Sequence, residues 1–523
     1  MTLKNSNTTT IATESDEASR KKLFWGCFTV LVASAFGFVF RSFLMAGWGT
    51  QFGLSKTQQG EIFGVSFWPF GISIVFFSLI IDKVGYKKSM IFSFVCHILS
   101  VIITILANGY WMLYFGTLLF ALGNGAAEAV VNPVVATMYA KEKTKWLNIL
   151  HAGWPTGMVL AGLIGITMIH FQVKWEMIIG IILLPVVVYG WLIINRKFPV
   201  NERVKAGITY LEMLKEVGII GLLIIISLCV FQLGSLFGWS YVVSTFITLL
   251  IVGVFGYFVR SPGRPVLILL LLMMIPLATT ELGTDSWITS LMTPEMQKIG
   301  LQGGWVLVYT SVIMAVLRFY SGPIVHRFSP LGLLAVSALI AAIGLYSLSY
   351  SAGVAIIIAA TIYALGKTFF WGTMLGVVSE QYPKGGVLAL NFTGAIGQVG
   401  VGVLGAVILG SVQDKQLDQN LAAYDRQHNA SYHSTYVTKE KTGLFGSYKA
   451  LDPDKYEAAP VETRQVIDNV QDAAKKDALR TVSIFPVFML VCYLGLIFYF
   501  RSRGGYKPVV LEHEEPALYV GEI

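Results

Sequence analysis

The sequence predicts an all-α polytopic membrane protein assembled from two related halves. Three observations carry that prediction. Of 523 residues, 55% are hydrophobic and only 13% are charged, with mean hydropathy +0.67, against roughly 25% charged residues in soluble domains. Apolar runs of about 20 residues recur from end to end, each long enough to cross a ~30 Å hydrocarbon core as a helix. The third observation is an internal repeat. Shifted by 243 positions, residues 121–162 lie over 364–405 without a gap, with twelve identities in forty-two positions. Tyr139 falls on Tyr382, Lys141 on Lys384, Asn148 on Asn391 and Gly157 on Gly400. Identical charged, amide and glycine positions in register are hard to obtain from apolar composition alone, so two related halves are the better reading.

Taken in order, residues 1–19 are polar and read as a disordered tail, with no cleavable leader. Fourteen apolar segments follow, at 23–47, 59–81, 89–107, 111–138, 146–170, 175–195 and 217–236, then at 239–259, 265–285, 304–325, 331–350, 353–378, 388–411 and 481–500. The pair 217–259 stands outside the repeat. The plan is a tail (1–22), a first six-helix bundle (23–195), a linker with an inserted hairpin (196–264), a second six-helix bundle (265–500) and a second tail (501–523). An amphipathic stretch, Lys205–Glu216, is expected along the membrane surface before the insert. The polar loop 412–480 reads as a small cap, a helical segment or a disordered loop.

Basic residues set the orientation. Lys83, Lys87, Lys88, Lys141, Lys143, Lys145, Arg196, Lys197, Arg260, Arg264, Arg327 and Lys384 fall in loops of one side, together with Lys21-Lys22 and Arg501. Both termini are therefore expected in the cytoplasm, in a plasma (inner) membrane. The basic residues are dispersed between apolar runs, so the +8 net charge does not point to nucleic acid. Four cysteines sit singly within apolar runs and give neither a disulfide framework nor a metal site. No cofactor motif is present, and the expected partners are the lipid bilayer and a small solute, with the chain acting as a monomer.

Between segments 2 and 3 stands Ser78-(x3)-Asp82-Lys83-Val84-Gly85-Tyr86-Lys87-Lys88. A tight turn at Gly85, an acid at a helix end and clustered cations allow contact with partner helices in one state only; a plain basic turn is the alternative. This stretch resembles the signature loop of the major facilitator superfamily, with Ser78 in place of its first glycine. The second half echoes it at Gly322-(x3)-His326-Arg327. The resemblance implies the major facilitator fold, two pseudo-symmetric six-helix bundles, and a gating role for Asp82, Lys83, Gly85, Lys87, Lys88 and Arg327.

Charged and amide side chains inside apolar segments are the site candidates. A membrane-centre charge costs about 2.5–3.5 kcal/mol on insertion scales, so such groups usually line cavities or pair. Segment 4 carries Asn124, Glu128 and Asn132, with Glu128 and Asn132 on one helix face. Glu128-(x3)-Asn132-Pro133 resembles the fucose–proton symporter branch of the sugar permeases, which implies coupling or sugar binding at Glu128; a structural hydrogen bond is the alternative. That branch carries an acid in its first helix, where this chain has Arg41, either a solute-binding cation or a side chain snorkelling outward. In segment 5, Asn148, His151 and Pro155 share a face beside Trp154, with His151 a proton shuttle or a packing residue. Segment 9 ends in Glu281, Asp285 and Trp287, which suit sugar hydroxyls and a C–H face, or form an external rim. The repeat sets Lys367 and Trp371 opposite Asn124 and Glu128, and an ion pair between Glu128 and Lys367 is expected. Asn391 and Gln398 complete a polar wall. His97 reads as packing and Arg318 as snorkelling.

The resulting expectation is a secondary transporter of a small polar solute, first a monosaccharide–proton symporter. Nucleosides, oligosaccharides and organic anions stay open, the last favoured by Arg41 and Lys367. A non-transporting sensor using loop 412–480 is the reading from another class. An enzyme is least favoured, since no nucleophile–base or metal-ligand spacing appears.

Overall fold

The computed structural model describes residues 5–511, apart from 55, 286–291, 293–295, 297–299, 303, 352 and 444–445. Among the described residues, 13 helices are long and apolar enough to span a membrane, or 14 when the bent pair Gly304–Phe319 and Ser321–Arg327 counts as one. The first six spans are α1 (Asn5–Gln51), α2 (Gln58–Val84), α3 (Tyr86–Ile105), α4 (Tyr110–Met138), α5 (Lys143–His170) and α6 (Trp175–Ile193). The inserted pair is α7 (Tyr210–Phe237) and α8 (Tyr241–Val259). The second half opens with α9 (Pro265–Gly283), α10 (Gly304–Phe319), α11 (Pro330–Tyr350), α12 (Ala355–Gln381) and α13 (Pro383–Gly405). It closes with α14 (Ala406–His428), α15 (Val461–Val482) and α16 (Ile484–Ser502). Every apolar run of the sequence is a helix, because a chain in hydrocarbon must satisfy its backbone groups within the segment.

The repeat is visible in the backbone. At Tyr139 the chain leaves α4 with φ −122° and ψ 47°, and at Tyr382 it leaves α12 with φ −127° and ψ 53°. The Tyr139 amide donates to the Val135 carbonyl, and the Tyr382 amide to that of Val378. The packing repeats as well: α3 lies along α4 as α11 lies along α12. The halves meet through α2 against α13 and through α5 against α10 and α12. The face carrying the Lys83, Lys145 and Arg264 turns is called the basic face below, and the other the opposite face.

One sequence expectation changes, and two other segments gain definition. Residues 5–19 belong to the continuous helix α1, with no proline before Gln51 to stop it. Within the stretch 205–216, residues 210–217 form a short helix capped by Thr209 and Glu212 in a reciprocal box, set off from the rest of α7 by the non-helical Gly218. The helix kinks at Gly218, whose φ is +64°. Loop 412–480 is mostly helical: α13 runs through a π-turn (Val401–Gly405) into α14, and α15 reaches α16 across Ser483. Helices α14 and α15 pack on each other and carry a hairpin, β1 (Lys439–Gly443) paired with β2 (Gly446–Ala450) in the register Thr442↔Ser447.

The α7–α8 insert rests on the second half through α7 and α13. Its kink is pinned by a glycine pair, since a Cβ on Gly218 would lie 2.1 Å from the Gly263 nitrogen. The Ile219 amide donates to the Ser261 carbonyl (2.9 Å), and Arg264 pairs with Glu216 (3.0 Å). Gly218→Ala is therefore expected to destabilise the chain by about 1–3 kcal/mol, through the left-handed backbone and the backbone clash together. Thermal unfolding in detergent checks this, with Gly253→Ala, in open space on α8, as the neutral control.

Candidate functional site

Two prolines inside the helices prepare the contact between the halves. Proline has no N–H, so the carbonyl four residues earlier loses its helical donor. Pro155 frees the His151 carbonyl, and α5 breaks at Ala152. Pro133 frees the Ala129 carbonyl within α4. Each carbonyl is taken by a side chain from the other half: Arg318 Nη1 donates to His151 O at 2.9 Å, and Asn391 Nδ2 to Ala129 O at 2.9 Å. Arg318 also donates through Nε to the Thr368 carbonyl (2.6 Å), at the interruption of α12, and pairs through Nη2 with Glu281 Oε1 (2.8 Å). It is 1% exposed.

Around this point the halves border two adjoining hollows with about 410 Å3 and 570 Å3 of empty space, open solvent included, each leaving about 30 Å3 for the centre of a water molecule. The smaller, nearer the basic face, is bounded by Glu128, His151, Glu281, Arg318 and Trp371. The larger is bounded by Arg41, Asn124, Asp285 and a ring of phenylalanines, with Trp154 and Gln398 shared by both.

Hydrogen bonds order the polar groups. Asn132 donates from Nδ2 to Glu128 Oε1 (3.4 Å), and its Oδ1 accepts from His151 Nε2 (2.9 Å). An amide oxygen only accepts, so His151 carries its proton on Nε2. The Trp371 indole is a further hydrogen-bond partner of Glu128. On the other side, Asn124 Oδ1 accepts from Ser34 Oγ (2.7 Å) and from His97 Nε2 (3.0 Å), while His97 Nδ1 meets Tyr189 OH (2.9 Å). Lys367 is fully buried, pairs with Asp285 and sits 5.0 Å from the Tyr363 ring centroid.

Toward the basic face the contacts are polar. Glu380 Oε1 accepts from the Thr144 amide (3.2 Å) and hydroxyl (2.5 Å), Lys143 reaches the Ser379 carbonyl (3.2 Å), and Asn148 Nδ2 donates to Thr373 Oγ1 (3.0 Å). Gly372 and Gly376 admit α5 here: a Cβ on Gly376 would lie 2.3 Å from Thr144 Oγ1. Tyr506 OH donates to Glu380 Oε2 (2.8 Å), and burial beside that carboxylate pushes the phenol well above its ordinary range. Toward the opposite face the halves touch through apolar side chains, Gly162 against Val308 and Gly402 against Phe67.

A family model described as Major Facilitator Superfamily matches residues 26–288, just over half of the chain. The chain belongs to the major facilitator superfamily. This facilitator has the fold of solved transporters at low identity. The transporter FucP, in its outward conformation, superposes with TM-score 0.53 at 15% identity, covering 90% of this chain and 99% of its own. The proton:xylose symporter XylE gives 0.59 at 10%, covering 92% and 96%, and the human organic anion transporter gives 0.57 at 11%, covering 91% and 99%. No curated protein matches the chain by sequence.

Of the sequence candidates in this facilitator, Arg41, Asn124, Glu128, His151, Trp154, Glu281, Asp285, Trp371 and Gln398 come together around the two cavities. Asn132 stands one layer behind, and Asn148 and Asn391 hold the halves together without lining the space. Trp287 lies outside the described residues. Several expectations are corrected. Lys367 pairs with Asp285, not Glu128, because the acid on the neighbouring α9 of its own half is the nearer partner. Arg318 does not snorkel, since Glu281 and two helix-end carbonyls replace its hydration inside. Glu281 and Asp285 are 2% and 5% exposed, so they form no solvated rim. Arg41 stays inside on Ser100 and Phe120, and His97 is a bonded member of the site's wall.

In the signature loop Gly85 has φ +87°, Lys83, Lys87, Lys88 and Arg327 are exposed, and Asp82 pairs with Arg203. Arg203 escaped the sequence reading, as did Thr144 and Glu380. Arg203 is 4% exposed and donates to the Ile208 carbonyl at 2.5 Å, which ties the linker to the loop. A basic residue in a charged linker carries no periodic signal, so only the tertiary contact reveals it.

Lys367→Met leaves Asp285 buried without its partner, which is expected to cost about 3–5 kcal/mol. Adding Asp285→Asn recovers most of that loss, whereas adding Glu128→Gln does not. Detergent melting of the three variants reads the result, and rescue by Glu128→Gln would return Lys367 to Glu128.

Proposed function

We propose that this facilitator is a proton-coupled symporter that carries a monosaccharide-sized polar solute by alternating access. It works as a monomer in the plasma (inner) membrane with the basic face toward the cytoplasm. The observation that carries the reading is Glu128. Glu281 and Asp285 are held in ion pairs, but Glu128 has only neutral partners, Asn132 and Trp371, among the described residues. A cavity carboxyl free of a fixed cation gains and loses a proton at lower cost than a paired one.

In this reading the solute lies between Trp154 and Trp371, its hydroxyls taken by Gln398 and by the free lone pairs of the carboxylates. Protonation of Glu128 changes the group it presents from acceptor to donor and removes a charge from the cavity, so loaded and empty forms differ in the cost of closing. The polar contacts of the basic face, Thr144–Glu380 and Asn148–Thr373, part when the halves rock. The Asp82–Arg203 pair, one helix end to the linker, is the element the signature loop exchanges in that motion. Structural neighbours that carry monosaccharides with protons, the fucose:proton symporter of E. coli (TM-score 0.51) and the proton:xylose symporter XylE, support the same class of cargo.

Glu128→Gln is expected to abolish accumulation driven by an inward proton gradient in proteoliposomes, while solute exchange across the membrane persists within about tenfold of wild type. Uptake of a radiolabelled monosaccharide panel, neutral sugars and sugar acids alike, with and without the gradient, reads this out. Accumulation at the wild-type rate would take Glu128 out of the coupling step. Asp82→Asn is expected to slow turnover, with equilibrium affinity changed by less than about threefold, since Asp82 lies away from the cavity. A large loss of affinity at normal turnover would contradict a gating role.

A further inference from the structure

We propose that the solute bears a carboxylate and that Arg41 binds it, which makes the cargo a polyhydroxylated acid of the hexuronate kind. The proposal rests on the symport reading and narrows its solute. It starts from a count of charges. Three buried cations lie in or directly behind the cavity walls, Arg41 and Arg318 in them and Lys367 behind Asp285, each at most 2% exposed. Arg318 has Glu281 and Lys367 has Asp285, whereas Arg41 has no carboxylate partner among the described residues.

What surrounds Arg41 holds the guanidinium without neutralising it. Nη1 donates to the Gly37 carbonyl (3.1 Å), Nη2 to Ser100 Oγ (2.8 Å), and the Phe120 ring lies beneath at 4.4 Å. Ser100 is itself fixed by donating to the Gly116 carbonyl at 2.5 Å. Gly37 makes the room, since a Cβ there would lie 2.8 Å from Nη1 and 2.1 Å from Phe120. A guanidinium has five N–H donors, and the Arg41 Nε is buried with no partner. A purely structural arginine in this position would keep an uncompensated charge and spare donors, both costly away from water. A ligand carboxylate meets the fork geometry and the charge at once.

The neighbouring groups fit the rest of such an acid. Asn124 lines the same cavity with its oxygen already engaged by Ser34 and His97, so its NH2 is the group left for an acceptor. Trp154, Gln398 and Asp285 offer an aromatic face and hydroxyl partners. Protonating Glu128 leaves the three cations facing two carboxylates, and a monoanion restores balance. Proton and carboxylate then cross together as a neutral sum, whereas a neutral sugar moving with one proton carries a net positive charge.

That difference is the test. The purified full chain in liposomes is given D-glucuronate or D-galacturonate, and in parallel D-glucose, D-galactose or L-fucose, under an inward proton gradient. An imposed potassium–valinomycin potential is either present or absent. The expected result is hexuronate uptake with protons, unchanged by the potential, and no uptake of the neutral hexoses. In detergent, hexuronate quenching of tryptophan fluorescence is expected to weaken on the order of 10- to 100-fold in Arg41→Lys, a variant that keeps the charge and whose melting curve reports folding. Potential-sensitive uptake of neutral hexoses, uncontested by about tenfold excess hexuronate, overturns the carboxylate assignment and leaves symport standing. Arg41-dependent hexuronate binding without proton movement supports the assignment and removes the symport reading. Hexuronate affinity equal in wild type and in correctly folded Arg41→Lys and Arg41→Gln, or no hexuronate binding at all, overturns the proposal.

Discussion

Arg318 joins three helices by giving each what it lacks. Glu281 on α9 is a buried carboxylate, Thr368 on α12 a carbonyl at a helix break, and His151 on α5 a carbonyl orphaned by Pro155. Desolvating each ion costs several kcal/mol, and that cost is repaid only when charge and hydrogen bonds are all satisfied. One guanidinium does so here, and it crosses from the second half to the first. The floor of the cavity is thus fixed by an interaction that also holds the halves together.

The Asn391–Ala129 contact repeats the device in the same direction, from the second half to a freed carbonyl of the first. Asn148 and Asn391 occupy equivalent places in the repeat, and both bond across the interface, Asn148 to Thr373 on α12 and Asn391 to the Ala129 carbonyl on α4. A side-chain amide facing a freed carbonyl gives a strong contact in a dry interface, yet it stays soluble in water once exposed. Contacts of that kind are well suited to being made in one state and broken in another. The opposite face differs, with glycine against apolar side chains, where close backbone approach supplies dispersion without polar partners.

Between them the cavity divides its charges. Two cations and two acids are locked as pairs within the second half, while Arg41 and Glu128, both in the first half, keep neutral partners. The locked pairs shape the space, and the two unlocked groups are the ones whose charge no ion pair holds among the described residues. The repeat accounts for part of this asymmetry: Glu128 and Trp371 fall on equivalent positions, so one half supplies the acid and the other the indole that bonds to it.

The sequence by itself determined the apolar spans, the two halves and the inserted pair, because length, hydropathy and a 243-residue register are local or periodic properties. It also determined which carbonyls would lack donors, since each follows from a proline's position, and which polar residues were too costly to face lipid. Only the tertiary structure decided the partners. Lys367 lies beside Asp285 and not Glu128, Arg318 turns inward, and Arg203 reaches Asp82, because pairing between helices depends on which faces the packing brings together. Sequence spacing fixes the face of one helix but says nothing of the neighbour that face will meet.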